Sequence, residues 1–305
     1  MSLTTILEAA ACLLGLLFGS FLNVVIARVP AGESIVSPRS RCLGCGHAIR
    51  WYDNIPLLSY ILLRARCRDC GASISWRYPS VELATAVWFA VCVAPLVHAT
   101  GLATDPLLQL IIQQIALCTL GWLLIGLAVI DWQTQLLPDT LTIPGIFAGL
   151  FFACAQALFL DDNQGDVILK HAPNINSANA GRSPGNIFLT GSEHLIFGRL
   201  FAAIAAFLLL WGIGAIYRAI RKRDGIGLGD AKLLAMIAAF LGLQPTILVL
   251  FVGVLLATLY ALPLLLKGRA NATTRLPFGS FLAVAGLFSA LEGQRILDWY
   301  LSLFP

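Results

Sequence analysis

The chain has 305 residues, of which 58% are hydrophobic and only 12% charged, about half the charged share of an ordinary soluble domain. With a mean hydropathy of +0.84, this composition excludes a soluble globular fold and points to a polytopic membrane protein. The net charge of +4 is too small to point to nucleic acid, and no nucleic-acid partner is expected.

Uncharged apolar runs mark the expected membrane helices. They cover 9–26, 83–104, 106–130, 140–160, 200–217, 233–266 and 276–291. The sixth run is too long for one crossing and is interrupted by Gly242-Leu-Gln-Pro245. Proline does not continue a helix, so this run is expected to be a short helix to about Gly242 and a full one from about Thr246. The expected fold class is therefore all-α, with about eight transmembrane helices.

Arginine and lysine set the expected orientation, because short cytoplasmic loops carry the positive charge. Eight arginines fall between residues 27 and 80, a second basic group spans 218–232, and a third spans 267–275. These groups lie in alternate connections, which places them in the cytoplasm and both termini outside. The first segment has no basic residue before it and Arg28 after it. It reads as an outside-to-inside anchor rather than a cleaved signal peptide.

In chain order, Asn23 near the end of the first helix is expected to hydrogen-bond a neighbouring helix. The loop that follows holds Cys42-Leu-Gly-Cys45 and Cys67-Arg-Asp-Cys70, each pair followed by glycine. Two CxxC pairs at this separation match a four-thiolate zinc ribbon, with Cys42, Cys45, Cys67 and Cys70 as ligands. Disulfides are disfavoured in a reducing cytosol. Cys12, Cys92, Cys118 and Cys154 lie in apolar runs as small packing residues. The Trp51–Tyr60 stretch between the knuckles reads as the ribbon's small core or a membrane-surface contact. Asp53 and Asn54 are expected turn formers, with a substrate or cofactor contact as the alternative. Glu82 opens the second helix, where the helix dipole favours it.

Asp131 ends a run of twenty-five uncharged residues at the cytoplasmic boundary, where a carboxylate opposes the helix dipole. Stability alone does not account for it. Asp139 follows Pro138 at the start of the next helix and is expected to cap it. Asp230 closes Gly227-Leu-Gly-Asp230 at the mouth of another apolar run, on the same side as Asp131. A glycine loop with a capping aspartate is the alternative there. Two carboxylates at one depth on different helices suggest aspartyl proteolysis: a pair sharing one proton, one acid activating water and the other protonating the leaving amine. The four histidines are scattered and form no Ser/His/Asp set. Gly225-x-Gly-x-Gly229 follows no expected strand, so a dinucleotide-binding loop is excluded. A proton-coupled transporter would also use membrane carboxylates, but nearer the midplane. A zinc-ribbon scaffold leaves Asp131 unexplained.

Several stretches together resemble the type IV prepilin peptidases, bacterial intramembrane aspartyl proteases of the GxGD class. They are GSFLNVV at 19–25, the CxxC pairs, DNIPLLS at 53–59, RYPSVE at 77–82, the pattern from Ile130 to Asp139, GLGDAKLL at 227–234 and LPFGSFLA at 276–283. The resemblance implies that Asp131 and Asp230 form the catalytic pair and that the four cysteines form the family's cytoplasmic tetrad. It further implies prepilin or pseudopilin substrates, whose basic leader is removed after a glycine, in type IV pilus biogenesis or type II secretion. Methylation of the new N-terminal residue by S-adenosylmethionine is implied too, with the cysteine-bearing loop as its expected location. The site that binds this cofactor is left unassigned. The setting implied is the bacterial inner membrane, with lipid around the helices and the active site at the cytoplasmic face. On this reading residues 1–26 form the first helix, 27–80 the cysteine-tetrad domain, and 81–305 the membrane-embedded peptidase domain. That last domain carries a polar outer-side insert at about 161–197. Ala27 departs from the family, which commonly has histidine before the arginine. The insert is a larger departure.

Overall fold

The computed structural model describes residues 3–97, 104–159, 192–222, 227–268 and 276–303, and among these there is no strand. Helix α1 (Leu3–Arg28) is followed by a polar segment with a 3-10 turn (Trp51–Asn54) and the short α2 (Leu58–Leu62). Seven further helices follow among the described residues: α3 (Arg77–Val97), α4 (Thr104–Thr134), α5 (Asp139–Ala157), α6 (Ser192–Arg221), α7 (Leu228–Leu241), α8 (Leu243–Leu266) and α9 (Phe278–Ser302). Six of these, α1, α3, α4, α5, α6 and α8, are long and apolar enough to cross a membrane, so the chain is a multi-pass membrane protein. The remaining two of the eight expected helices differ in kind. At 14 residues, α7 is about 21 Å long, short of a hydrocarbon core of about 30 Å. The second half of α9 carries Glu292, Arg295 and Asp298.

Most helices extend beyond the apolar runs, since charged and polar end turns remain helical outside the hydrocarbon. In α9 the last turns are laced by Arg295–Glu292 and Gln294–Asp298 contacts. The expected break at Gly242 is present, but α8 starts at Leu243 rather than near Thr246. Gly242 takes φ +87°, open to glycine at no steric cost, and Pro245 sits in the first turn of α8, where its missing N–H is not needed. The expected polar insert at about 161–197 lies, up to residue 191, outside the described residues. From Ser192 the chain is helical.

Small residues let the helices close. Gly15 and Gly19 bring α1 onto α3, where an added Cβ would come within 2.6 Å of the Ala86 backbone and 2.7 Å of Glu82. Gly145 and Gly149 do the same for α5 on α7, against Met236 and Ala239. Both are glycines four apart on one face, the spacing that permits close backbone contact between membrane helices. Nearly every residue of α7 from Ala231 to Ala239 is buried. A helix apolar on all faces belongs inside a bundle, and α4, α5, α6, α8 and α9 all pack against α7. The first turn of this central helix carries Asp230.

Candidate active site

The C-terminal end of α4 and the N-terminal ends of α5, α7 and α9 meet at the same end of the bundle as the cysteine-bearing segment. Asp131 lies in the last turn of α4 and is buried, 4% exposed. The opposition between its charge and the α4 dipole is met by α9. The Ser280 backbone N–H donates to Asp131 Oδ2 at 2.6 Å and the Ser280 hydroxyl at 2.9 Å. Ser280 is the third residue of α9, so one of its orphan first-turn donors and the positive end of its dipole face the carboxylate. The α4 helix then stops at Gln135, which has φ +54° and whose N–H donates to the Asp131 carbonyl.

Asp230 is the third residue of α7 and accepts a hydrogen bond from the Gly227 backbone N–H. This is the reach-back half of a capping box, so the capping alternative holds as local structure. It does not exhaust the residue, because Asp230 also lies within range of the Asp131 charge. The two carboxylates thus lie within range of each other's charge, Asp131 against the N-terminus of α9 and Asp230 in the first turn of α7.

Leu137, from the α4–α5 connection, wedges the two motifs together. A Cβ on Gly229 would meet Leu137 at 2.9 Å, and one on Gly279 would meet it at 2.8 Å and Asp131 Cγ at 3.1 Å. These glycines are therefore required by close approach. Trp132, Tyr260 and Phe281 form an aromatic cluster beside this point, with centroids 5.4 to 6.3 Å apart. Asp139 does not cap α5: Pro138 is the N-cap residue, without a side-chain bond. Instead Asp139 pairs with Lys232 Nζ at 2.6 Å, because its first-turn position faces α7 and α7 supplies a cation. No local signal in the sequence gives Ser280 or Leu137 a role, although both fall inside the motifs at 276–283 and 130–139.

The cysteine segment forms two similar knuckles. In the first, Cys42 N–H donates to the His47 carbonyl and Gly46 N–H to the Cys42 carbonyl; Cys67, Ala72 and Gly71 repeat the pattern. Gly46 and Gly71 take φ +73° and +71° with open space around them, so conformation rather than crowding requires glycine. The four Sγ atoms lie within 4.8 Å of one another, and Cys42 and Cys70 are 3.8 Å apart. A tetrahedron with metal–sulfur bonds of about 2.3 Å has edges of about 3.8 Å, so the group fits a tetrahedral metal ion. Backbone N–H groups of Cys45 and Gly44 lower the Cys42 thiol to about 6, favouring the thiolate that a metal requires.

Between residues 29 and 76 only Ser59 is buried, and Trp51 is 82% exposed. The Trp51–Tyr60 stretch is therefore not a ribbon core. Polar clamps hold the segment instead. Arg68 grips Asp53 through both carboxylate oxygens at 2.6 to 3.1 Å, which gives Asp53 a task beyond turn formation. Glu82 is buried and accepts from the Leu57 N–H at 2.8 Å; it anchors the segment to α3 and is more than a dipole partner. Asn23 Nδ2 donates to the Tyr78 carbonyl of α3 at 3.0 Å, the interhelical bond expected of it. Arg77 donates to Gln133 at 2.9 Å and links the segment's exit to the end of α4.

The Arg68 hydrogen bonds hold the Asp53 carboxyl below the usual carboxylate range. Its contribution to stability is complete above the unfolded value of about 3.9 and is lost as pH falls through the lower folded value. Asp53→Asn removes the clamp at neutral pH. We expect limited proteolysis within 29–76 to quicken by about fivefold at most, the equivalent of about 1 kcal/mol for an ion pair at the protein surface. Unchanged proteolysis would show that the clamp does not hold the segment.

These features define a multi-pass, all-helical membrane enzyme with a four-cysteine segment beside a two-carboxylate site. The bacterial peptidase A24 N-terminal domain matches residues 13–96, and the type IV leader peptidase family matches 118–169 and 186–262. A prepilin leader peptidase/N-methyltransferase of Aeromonas salmonicida is 31% identical over 95% of this chain and 92% of its own length. Proteins of the same name from Pseudomonas aeruginosa and Burkholderia pseudomallei are 33% identical over 95% and 93% of this chain, and over 91% and 85% of their own lengths. No solved structure matches. The chain belongs to the type IV leader peptidase family.

Proposed function

We propose that this enzyme removes the leader peptide of type IV prepilins or pseudopilins at the cytoplasmic face of the bacterial inner membrane, and then methylates the new N-terminus. The observation that carries the reading is that Asp131 and Asp230 lie at one end of the bundle, Asp131 against the N-terminus of α9 and Asp230 in the first turn of α7. In this reading they form the catalytic pair. Two acids brought within a few ångströms hold one proton between them. The ionised member takes a proton from water as it attacks the scissile carbonyl, and the protonated member donates to that carbonyl oxygen and then to the leaving amine. Ser280 orients Asp131 through its two donors. A relay for transport lacks support, since both carboxylates sit at one boundary rather than at the midplane.

The tetrad Cys42, Cys45, Cys67 and Cys70 holds structural zinc in this reading, the ion that four thiolates in a reducing compartment favour. S-adenosylmethionine supplies an electrophilic methyl group when bound. The division proposed is residues 1–26 as the first helix, 27–80 as the cysteine domain and 81–305 as the peptidase domain, with lipid around the helices. The direct test is incubation of the purified protein in detergent with a prepilin and S-adenosylmethionine, followed by mass measurement of the product. Loss of the leader and a gain of one methyl are expected; an intact prepilin would overturn the peptidase reading.

The family match is interrupted between 169 and 186, within the expected insert. Deleting 162–191 and bridging with a short flexible linker is expected to leave cleavage within about twofold of wild type, since closure entropy changes slowly with loop length. A deletion protein that inserts normally but does not cleave would place the insert in the working site.

A further inference from the structure

A groove that neither aspartate lines runs between the C-terminal end of α1 and the start of α5. It has a volume of about 440 Å³. Its wall is apolar, from Phe21, Val25 and Val29 on α1, Trp122 on α4 and Leu141 on α5. Phe21 and Trp122 stack at 6.1 Å with planes 8° apart. Among the described residues that line it, Glu33 alone is charged, and it lies beyond the end of α1. Arg28 fixes this floor by donating to the Ser34 and Pro38 carbonyls at 2.8 and 2.6 Å, while the Glu33 N–H donates to the Arg28 carbonyl at 3.0 Å.

An apolar trough about 12 Å long from Phe21 to Val29, with a single anion at its cytoplasmic end, suits a particular ligand. It is a chain that starts with one positive charge and continues apolar into the membrane. Leader cleavage creates such a chain: a free α-ammonium followed by an apolar segment. Thr140, at the mouth, directly follows Asp139 and lies at the same end of the bundle as Asp131 and Asp230. The amine is thus released at the end of the bundle to which Thr140 and the groove belong. A basic leader fits less well, since several charges cannot follow one another along an apolar wall.

We propose that this groove is the subsite that receives the cleaved substrate, its new N-terminal ammonium against Glu33 and its apolar segment along Phe21, Val25 and Trp122. The proposal rests on the peptidase reading above. It adds a place where the acceptor amine is held after cleavage.

The test is a binding cycle that needs no turnover. A synthetic peptide that begins with phenylalanine and continues apolar is prepared with a free amine and with an N-acetyl cap. Both forms are titrated against the full-length protein in detergent, with affinity read by thermophoresis. The wild type is expected to prefer the free amine by about fivefold, the upper end for an ion pair at an exposed site. Glu33→Gln abolishes that preference, Glu33→Asp retains part of it, and Thr140→Trp, which fills the mouth, weakens both forms. With prepilin and S-adenosylmethionine at limiting substrate, Glu33→Gln is expected to lower the methyl count per cleaved chain, with recovery at saturation. Equal wild-type affinity for the two peptides, a preference that survives Glu33→Gln, or a parallel fall of cleavage and methylation in that variant would each overturn the proposal. A wild type that cleaves but transfers no methyl would instead remove the methyltransferase reading, and the binding cycle would still decide the groove.

Discussion

Asp131→Asn and Asp230→Asn are each expected to abolish leader cleavage, by about a thousandfold or more, while the protein still folds and inserts. The magnitude follows from a unit that works only as a pair: loss of either member removes the proton economy of the whole. Folding is expected to survive because asparagine keeps the local bonds. Its amide oxygen still accepts from the Ser280 N–H at position 131 and from the Gly227 N–H at position 230. The measurement is prepilin conversion per mole of protein, with thermal midpoint and expression as controls. Near-full cleavage in either variant, with a normal midpoint, would sink the aspartyl mechanism.

Replacing Cys42 and Cys45 together with serine is expected to reduce bound metal to background and methyl transfer by about tenfold or more. Hydroxyls are poor substitutes for thiolates on zinc. The segment has almost nothing else to hold its knuckles, since Ser59 is its only buried residue between 29 and 76, and a chain of that size needs a staple. Cleavage is expected to fall less. Asp131 and Asp230 are set by α4, α7 and α9, and the Glu82, Asn23 and Arg77 clamps at the segment's base do not pass through the cysteines. Metal analysis and product mass from one batch decide the matter. Equal loss of both activities would show one functional unit, and full metal with full methylation would defeat the tetrad assignment.

Neither result depends on knowing the substrate's identity, because both are read against the wild-type protein with the same prepilin. They differ in where the damage travels. A change at Asp131 acts within the bundle, where small residues lock helices at close range. A change at Cys42 acts on a segment held by polar clamps, so its effects are expected to stay local.

The sequence by itself determined the membrane class, the all-α character, the break at Gly242, the cysteine knuckles and the two aspartates as a candidate pair. These follow from local signals: apolar runs, a glycine before a proline, CxxC spacing, and a carboxylate where the dipole is against it. Only the tertiary structure decided what answers that opposed charge. Ser280 is distant from Asp131 in sequence, and no periodicity joins them; packing of α9 on α4 does. The same holds for Glu82 reaching Leu57, Asp139 turning to Lys232 instead of capping α5, and α7 standing as a buried half-length helix rather than a lipid-facing span. In each case the partner lies on another helix, so the interaction exists only once glycine seams have brought the helices into contact.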